Sequence, residues 1–140
     1  MKTKQGCIFC QIVHQQAPAH VAYEDARTLV FMDIFPVSNG HTLIIPKAHC
    51  DDLFDADPED MRAVMDVSRR IAHAIDRALT PDGLGVYQLN RAPAGQTVFH
   101  YHMHLIPRHI GQGLQIHSRV PGDPARLAEV AKQIAGELAD

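Results

Sequence analysis

No run of apolar residues in the chain approaches the length of a membrane span, and its first residues, MKTKQGCIFC, lack the apolar stretch of a secretory leader. Both absences predict a cytoplasmic protein with no membrane partner. Basic residues are not in excess either. Thirteen Lys and Arg stand against sixteen Asp and Glu, a formal net charge of −3, so no global field invites a nucleic-acid backbone. That argues against a nucleic-acid partner but leaves room for a small anionic ligand held by local donors. Cysteine is scarce: with three in the chain, any disulfide leaves one over. In a reducing compartment the Cys7-x-x-Cys10 pair reads better as metal ligands or a redox pair. A thioredoxin-like redox site wants a strand before such a pair, and none is predicted there. Internal repeats, low-complexity tracts and linkers are missing too. The 140 residues are expected to form a single domain, 1–140, with enough chain for a real core.

What the chain does have is histidine in an unusual arrangement. Thr97 to Arg108 reads TVFHYHMHLIPR, in which His100, His102 and His104 alternate with Tyr101, Met103 and Leu105. Period two is a strand period, so the imidazoles are expected on one face and the apolar residues on the other. At a rise of about 3.3 Å per residue, successive histidines would sit roughly 6–7 Å apart. Pro107 is expected to end the strand. A merely solvated face would carry Lys, Thr, Glu or Ser at these positions. A metal-binding tract is a second reading, but one straight face offers a single ion two histidines at most. Catalysis is favoured: one imidazole as nucleophile, with its neighbours orienting it and handling protons.

The rest of the pattern predicts an α+β fold, an antiparallel sheet with one long central helix and a C-terminal helix. Ile8, Phe9 and Ile12 form a short apolar turn at helical spacing. Strands are expected over His20–Glu24 and Arg27–Asp33 around an Asp25-Ala26 turn, over His41–Pro46 after a Ser38-Asn39-Gly40 turn, and over Gly85–Asn90. Asp57 is a good helix cap with Pro58 behind it, and Val64, Val67, Ile71, Ile75 and Leu79 make an apolar stripe that stops before Pro81-Asp82-Gly83. His73 on that helix is assigned no role. A final amphipathic helix is expected from about Pro124 to Leu138, carrying Leu127, Val130, Ala131 and Ile134. Asp33 reads as a turn former or as a carboxylate for ribose hydroxyls.

These residues resemble the histidine triad (HIT) family, whose mark is His-φ-His-φ-His-φ-φ with φ apolar, here His100 to Ile106. CIFCQIV, then FMDIFPVSNGHTLIIPKAH (Phe31 to His49), then AGQTVFHYHMHLIPR (Ala94 to Arg108) look like family blocks in family order. Asp33 resembles the nucleotide-binding, phosphoramidase branch, and the Cys pair resembles the zinc-containing bacterial members. The resemblance implies the HIT-like fold, a homodimer with one sheet continuous across its interface, and a hydrolase. Its implied substrates are purine nucleoside 5′-phosphoramidates or related nucleotidyl conjugates, cleaved to a nucleoside monophosphate. A dinucleoside polyphosphate hydrolase and a nucleotide-binding regulatory module with little turnover are the alternatives.

Residue by residue, the resemblance makes His102 the nucleophile, with His104 donating to the phosphate or leaving group and His41 supporting the triad. Gln96 and Thr97 match phosphate and leaving-group contacts, Gly95 lets backbone N–H groups approach the phosphate, and Asn90 matches a residue at the phosphate and nucleoside edge. Asp33 matches the ribose carboxylate. Ile8, Phe9, Ile12, Phe31 and Ile34 match an apolar slot around the base, with plain core as the competing reading. Cys7, Cys10, His49 and His100 match a structural zinc site. Cys50 is left without a role, and the natural leaving group is not written in the sequence.

Overall fold

The computed structural model describes residues 1–138. Its elements run α1 (Ile8–Val13), β1 (Val21–Glu24), β2 (Thr28–Met32), β3 (Thr42–Pro46), α2 (Pro58–Leu79), β4 (Gly83–Tyr87), β5 (Met103–Arg108) and α3 (Pro124–Gly136), with short 3-10 turns at Leu53–Asp55 and Ala92–Ala94. The five strands form one antiparallel sheet in the order β1-β2-β3-β5-β4. This is the expected α+β architecture.

Local chemistry explains the turns and caps. Asp25 bends the chain between β1 and β2 by accepting from the backbone N–H groups of Arg27 and Thr28, at 2.9 and 2.7 Å. Asp57 caps α2 by accepting from Glu59 N, and Pro58 takes the first turn, where its missing N–H costs nothing. Gly40 sits at φ +92° against Leu79 and Pro107, which makes glycine the fitting residue at the entry to β3.

Alternation along the strands divides the apolar residues between two clusters. Val30, Met32, Ile44, Met103 and Leu105 face α2 and α3, against Val64, Val67, Ile71, Ile75, Leu127, Val130 and Ile134. Leu29, Phe31, Leu43 and Ile45 face the other way and are covered in part by Phe9 of α1. The central strands β2 and β3 are therefore buried along their whole length. His104 pairs with Leu43 across the sheet, and Leu43 with Phe31, so His104 stands in a row on the α1 face.

Three boundaries differ from expectation. The histidine segment is not one strand: β5 begins only at Met103, and Thr97–His102 arrive outside it. Pro107 does not end the strand but pairs with Leu84 inside it. The register with β3 covers only Met103 to Leu105, so Pro107 lies past that ladder, where a missing N–H is tolerated. Finally, β4 spans Gly83–Tyr87 instead of running on to Asn90. Gln88 and Asn90 pair their side-chain amides with each other, and Asn90 Oδ1 also takes Leu53 N.

Candidate active site

His104 is the second residue of β5, His102 and His100 come from the segment just before it, and His41 from the entry to β3. All four are nearly inaccessible to solvent. The His102 and His104 rings lie 4.8 Å apart, edge to face, closer than a straight strand would put them. The Phe9 ring stands edge-on to His102 at 5.3 Å and to Phe31 at 5.2 Å.

Hydrogen-bond partners fix the tautomer of each imidazole. His102 Nδ1 lies 2.7 Å from the His100 carbonyl, which can only accept, so Nδ1 carries the proton and Nε2 is a bare lone pair. Val37 N–H donates to His41 Nδ1 at 3.0 Å, so the proton of His41 is on Nε2. That N–H donates to His104 Nδ1 at 2.9 Å, leaving His104 with its proton on Nε2. His104 Nε2 is buried with no partner in the protein. One ring thus carries a free lone pair and its neighbour, 4.8 Å away, an unpaired donor. Such a pair can attack an electrophile and stabilise charge on its oxygens.

Burial keeps these rings neutral. It pushes His41 and His104 down to about 3, with Arg108 and His102 adding for His41, and His102 adding most after burial for His104. His102 is lowered by burial as well, against a raising contribution from its bond to the His100 carbonyl. Asp33, largely buried, is shifted the other way: burial raises its carboxyl. One Asp33 oxygen accepts from Phe35 N at 2.8 Å, which is the turn-forming role, and the other lies 3.4 Å from His41 Nε2. Both readings of Asp33 are thus compatible with its geometry. The ligand atoms of Asp33, His41 and His104 lie within 4.8 Å of one another, but the proton between the two rings makes this a hydrogen-bonded pair with a carboxylate beside it.

The expected base-slot residues divide by exposure. Phe9 and Phe31 are buried in the α1-face cluster and Ile12 packs on it, whereas Ile8 and Ile34 are 45% and 53% exposed. Of the loop residues, Thr97 is exposed and Gly95 turns the chain at φ +107°. Gln96 is buried, and its amide is fully engaged by the backbone: Nε2 donates to the Asp51 and Val98 carbonyls, and Oε1 accepts from Arg91 N at 2.6 Å. Asn90 is likewise engaged by Gln88 and Leu53. In this structure both shape the loop.

A second cluster gathers Cys7, Cys10, His49 and His100, whose ligand atoms all fall within 4.8 Å of one another. His100 Nε2 donates to the Pro46 carbonyl at 2.8 Å, and His49 Nε2 to Asp51 at 2.8 Å. Their Nδ1 atoms are therefore both lone pairs, and they face each other at 3.2 Å. Two bare lone pairs at that distance repel unless a cation lies between them. The Sγ–Nδ1 separations are 3.4–3.6 Å. A zinc tetrahedron with bonds of about 2.0 Å to N and 2.3 Å to S has N–N edges near ~3.3 Å and N–S edges near ~3.5 Å. The residues present fit zinc. Asp51 then orients one ligand, as carboxylates commonly do for metal-bound histidine. Cys50, by contrast, is a buried thiol pushed up to about 12 by burial.

Residues 14–111 match the family model of the HIT domain. The chain belongs to the HIT family. It is 38% identical to "Protein hit" of Bacillus subtilis (strain 168), over 99% of each chain. Its fold superposes with a TM-score of 0.85 on a zinc-bound histidine triad protein from Mycobacterium smegmatis, 40% identical over 96% of this chain and 94% of that one. It is also 39% identical to the adenylylsulfatase HINT3 of Arabidopsis thaliana, over 75% of this chain and 53% of that protein.

Three residues that stand beside these clusters in the fold are not singled out by the sequence. Asp51 was visible only as one acid in a polar stretch, although its spacing two residues from His49 is the signal for a ligand-orienting carboxylate. Arg91, at φ +75°, offers the N–H that Gln96 accepts. His117 lies in the turn-rich segment after β5 and stands 6.3 Å from His104. No spacing rule connects it to the triad.

Proposed function

We propose that this HIT protein is a nucleotidyl hydrolase. It cleaves purine nucleoside 5′-phosphoramidates, or related nucleotidyl conjugates, through a covalent nucleotidyl-histidine at His102. The observation that carries this reading is the His102 tautomer: Nδ1–H held by the His100 carbonyl, Nε2 free for attack. His102 Nε2 bonds to the α-phosphorus, the leaving group departs, and water then releases the nucleoside monophosphate. His104 Nε2–H donates to a non-bridging oxygen as charge develops there. His41 holds His104 in the donor tautomer. Gly95 and the exposed Thr97 offer donors to the phosphate, and Gln96 and Asn90 hold their loop in place.

The nucleoside lies on the α1 side in this reading. Asp33 takes the ribose hydroxyls with the oxygen not bound to Phe35 N. Phe9, Ile12 and Phe31 form the floor of the base slot, and the exposed Ile8 and Ile34 close over it. Apolar walls select a flat purine only weakly. The zinc, held by four protein ligands, is structural: when bound, it supplies a fixed link between α1 and the segment carrying His100. The HIT protein works as a homodimer on small nucleotides in the cytoplasm.

Similarity to an adenylylsulfatase favours one further substrate, adenylyl sulfate, whose α-phosphorus would be attacked in the same way. The test is AMP release from adenosine 5′-phosphoramidate, adenylyl sulfate and diadenosine tetraphosphate, each with the wild type and His102→Ala. Release of AMP from the phosphoramidate, lost by about 10⁴-fold or more in the variant, is expected. No AMP from any of the three, or an undiminished rate in His102→Ala, would overturn the reading.

A further inference from the structure

The hydrogen-bonded row of imidazoles cannot supply a proton. His104 can donate a hydrogen bond through Nε2, but giving up that proton would leave an imidazolate unless His41 replaced it through His104 Nδ1. His41 cannot do so without becoming an imidazolate itself, because its Nδ1 already accepts from Val37 N–H. His102 uses its only proton on the His100 carbonyl. A departing amine or alkoxide needs a proton as its bond to phosphorus breaks. In the reaction proposed above, that proton must come from a group outside the row.

The segment from His109 to Gly122 brings such a group. It is fastened across the site at several points. Arg108 donates to the Gly113 and Gln115 carbonyls, and Gly122 N donates to the Ile34 carbonyl at 2.8 Å. Between these points, His117 Nε2 donates to the carbonyl of Gly95, at the apex of the phosphate-side loop, at 2.7 Å. The His117 ring is 6.3 Å from His104, nearly perpendicular to it. Its Nδ1 has no partner among the described residues, and the residue is open to solvent, unlike His41, His100, His102 and His104. The titratable groups it faces are Asp33 after β2, His41 just before β3, His102 just before β5 and His104 within it; a positive charge on His117 bears on all four.

We propose that His117 is a catalytic residue on the leaving-group side, passing a proton through Nδ1 between the leaving group, the attacking water and solvent. The proposal rests on the nucleotidyl-His102 reading. In the first step the His102 Nε2–P bond forms and the bond from phosphorus to the leaving nitrogen or oxygen breaks. His117 enters this step as the imidazolium, its Nδ1 protonated from solvent; the electron pair stays with the leaving atom, which takes that Nδ1 proton and leaves His117 neutral. In the second step the neutral His117 accepts a proton from water as its oxygen bonds to phosphorus. The P–His102 bond then breaks, and Nε2 regains its lone pair. Across the two steps one water is consumed and His117 returns to its starting state. His104 serves as hydrogen-bond donor throughout, with its proton retained.

Two substrates with one nucleotidyl group separate proton delivery from mere support of the Gly95 loop. An N-alkyl adenosine 5′-phosphoramidate has a leaving group that must be protonated. The 4-nitrophenyl ester of AMP has one that leaves as a stable anion. His117→Gln keeps a side-chain N–H for the Gly95 carbonyl but cannot transfer a proton, and His117→Ala loses both. Single-turnover rates should show the phosphoramidate-to-ester rate ratio falling by about 100-fold in His117→Gln and in His117→Ala. An unchanged ratio in His117→Gln, whether both rates fall together or neither does, overturns the role of His117 while leaving nucleotidyl-His102 standing. Failure of the wild type to cleave either compound overturns both.

Discussion

His41, His49, His100, His102 and His104 share one device: a ring nitrogen tied to a fixed partner, which decides the state of the other nitrogen. A backbone carbonyl sets His100 and His102, a backbone N–H sets His41, and Asp51 sets His49. Neutrality of the buried rings has a thermodynamic consequence. His41 and His104 sit near about 3 in the folded protein, against about 6.5 in an unfolded chain. Between those values the unfolded state binds protons that the native state refuses. Stability is therefore fully present above about pH 6.5 and falls as the pH drops toward about 3, by up to roughly 1.4 kcal/mol per pH unit for each ring. Urea unfolding at a series of pH values below neutrality should show a midpoint that falls steadily, and His41→Asn should flatten the slope. A flat midpoint down to pH 4 would contradict neutral burial of these rings. At this scale the sequence was half legible. The sequence points to His41, Asp33, His102 and His104, which the fold brings together, but no tautomer is legible in it, because tautomers depend on carbonyls and N–H groups that only the fold brings near.

Among the elements, α1 is the least able to stand alone. Its six residues are too few for a stable helix by themselves. Phe9 packs it into the α1-face cluster, and Cys7 and Cys10 stand in the Cys/His cluster with His49 and His100, where a zinc ion would tie it to the sheet. Removing zinc, or Cys10→Ser, should cost about 3 kcal/mol, or roughly 10 °C in Tm. Zinc per chain, measured with a colorimetric chelator, should fall from one to near zero in the variant. A metal-free protein that melts at the same temperature as the zinc-loaded one would contradict this anchoring role. Helices α2 and α3 were legible from period and caps, because Asp57-Pro58 and the apolar stripe follow local rules. The start of β5 was not. The alternation from His100 to Leu105 satisfies a strand period, yet the ladder opens only at Met103. The residues before it are drawn away, His100 toward Cys7, Cys10 and His49 and the Tyr101 N–H toward the Cys50 carbonyl. Tertiary contacts overrode the local pattern, as they did at Pro107.

In the whole molecule, sheet order leaves β4 at an edge, with one side of its backbone unpaired. Val86 on that strand is half exposed, and Phe99 nearby in sequence to β5 is too. An open edge of this kind invites a second strand. A homodimer joined along β4 would extend the sheet across both subunits, as the family resemblance implied. Sedimentation should give twice the chain mass, and Val86→Asp should yield monomers; a monomeric wild type at micromolar concentration would contradict the expectation. No described helix is long and apolar enough to cross a membrane. Fold and triad were readable together because the sequence blocks that carry them are adjacent to β2, β3 and β5. The contribution of the segment after β5 was not, since His117 reaches the site only by folding back onto Gly95. The central claim remains covalent catalysis at His102, and rapid-quench intact mass spectrometry with adenosine 5′-phosphoramidate tests it most directly. A transient gain of one adenylate, absent in His102→Ala, is the predicted result. AMP release with no adduct at any quench time, at an equal rate in His102→Ala, would contradict it.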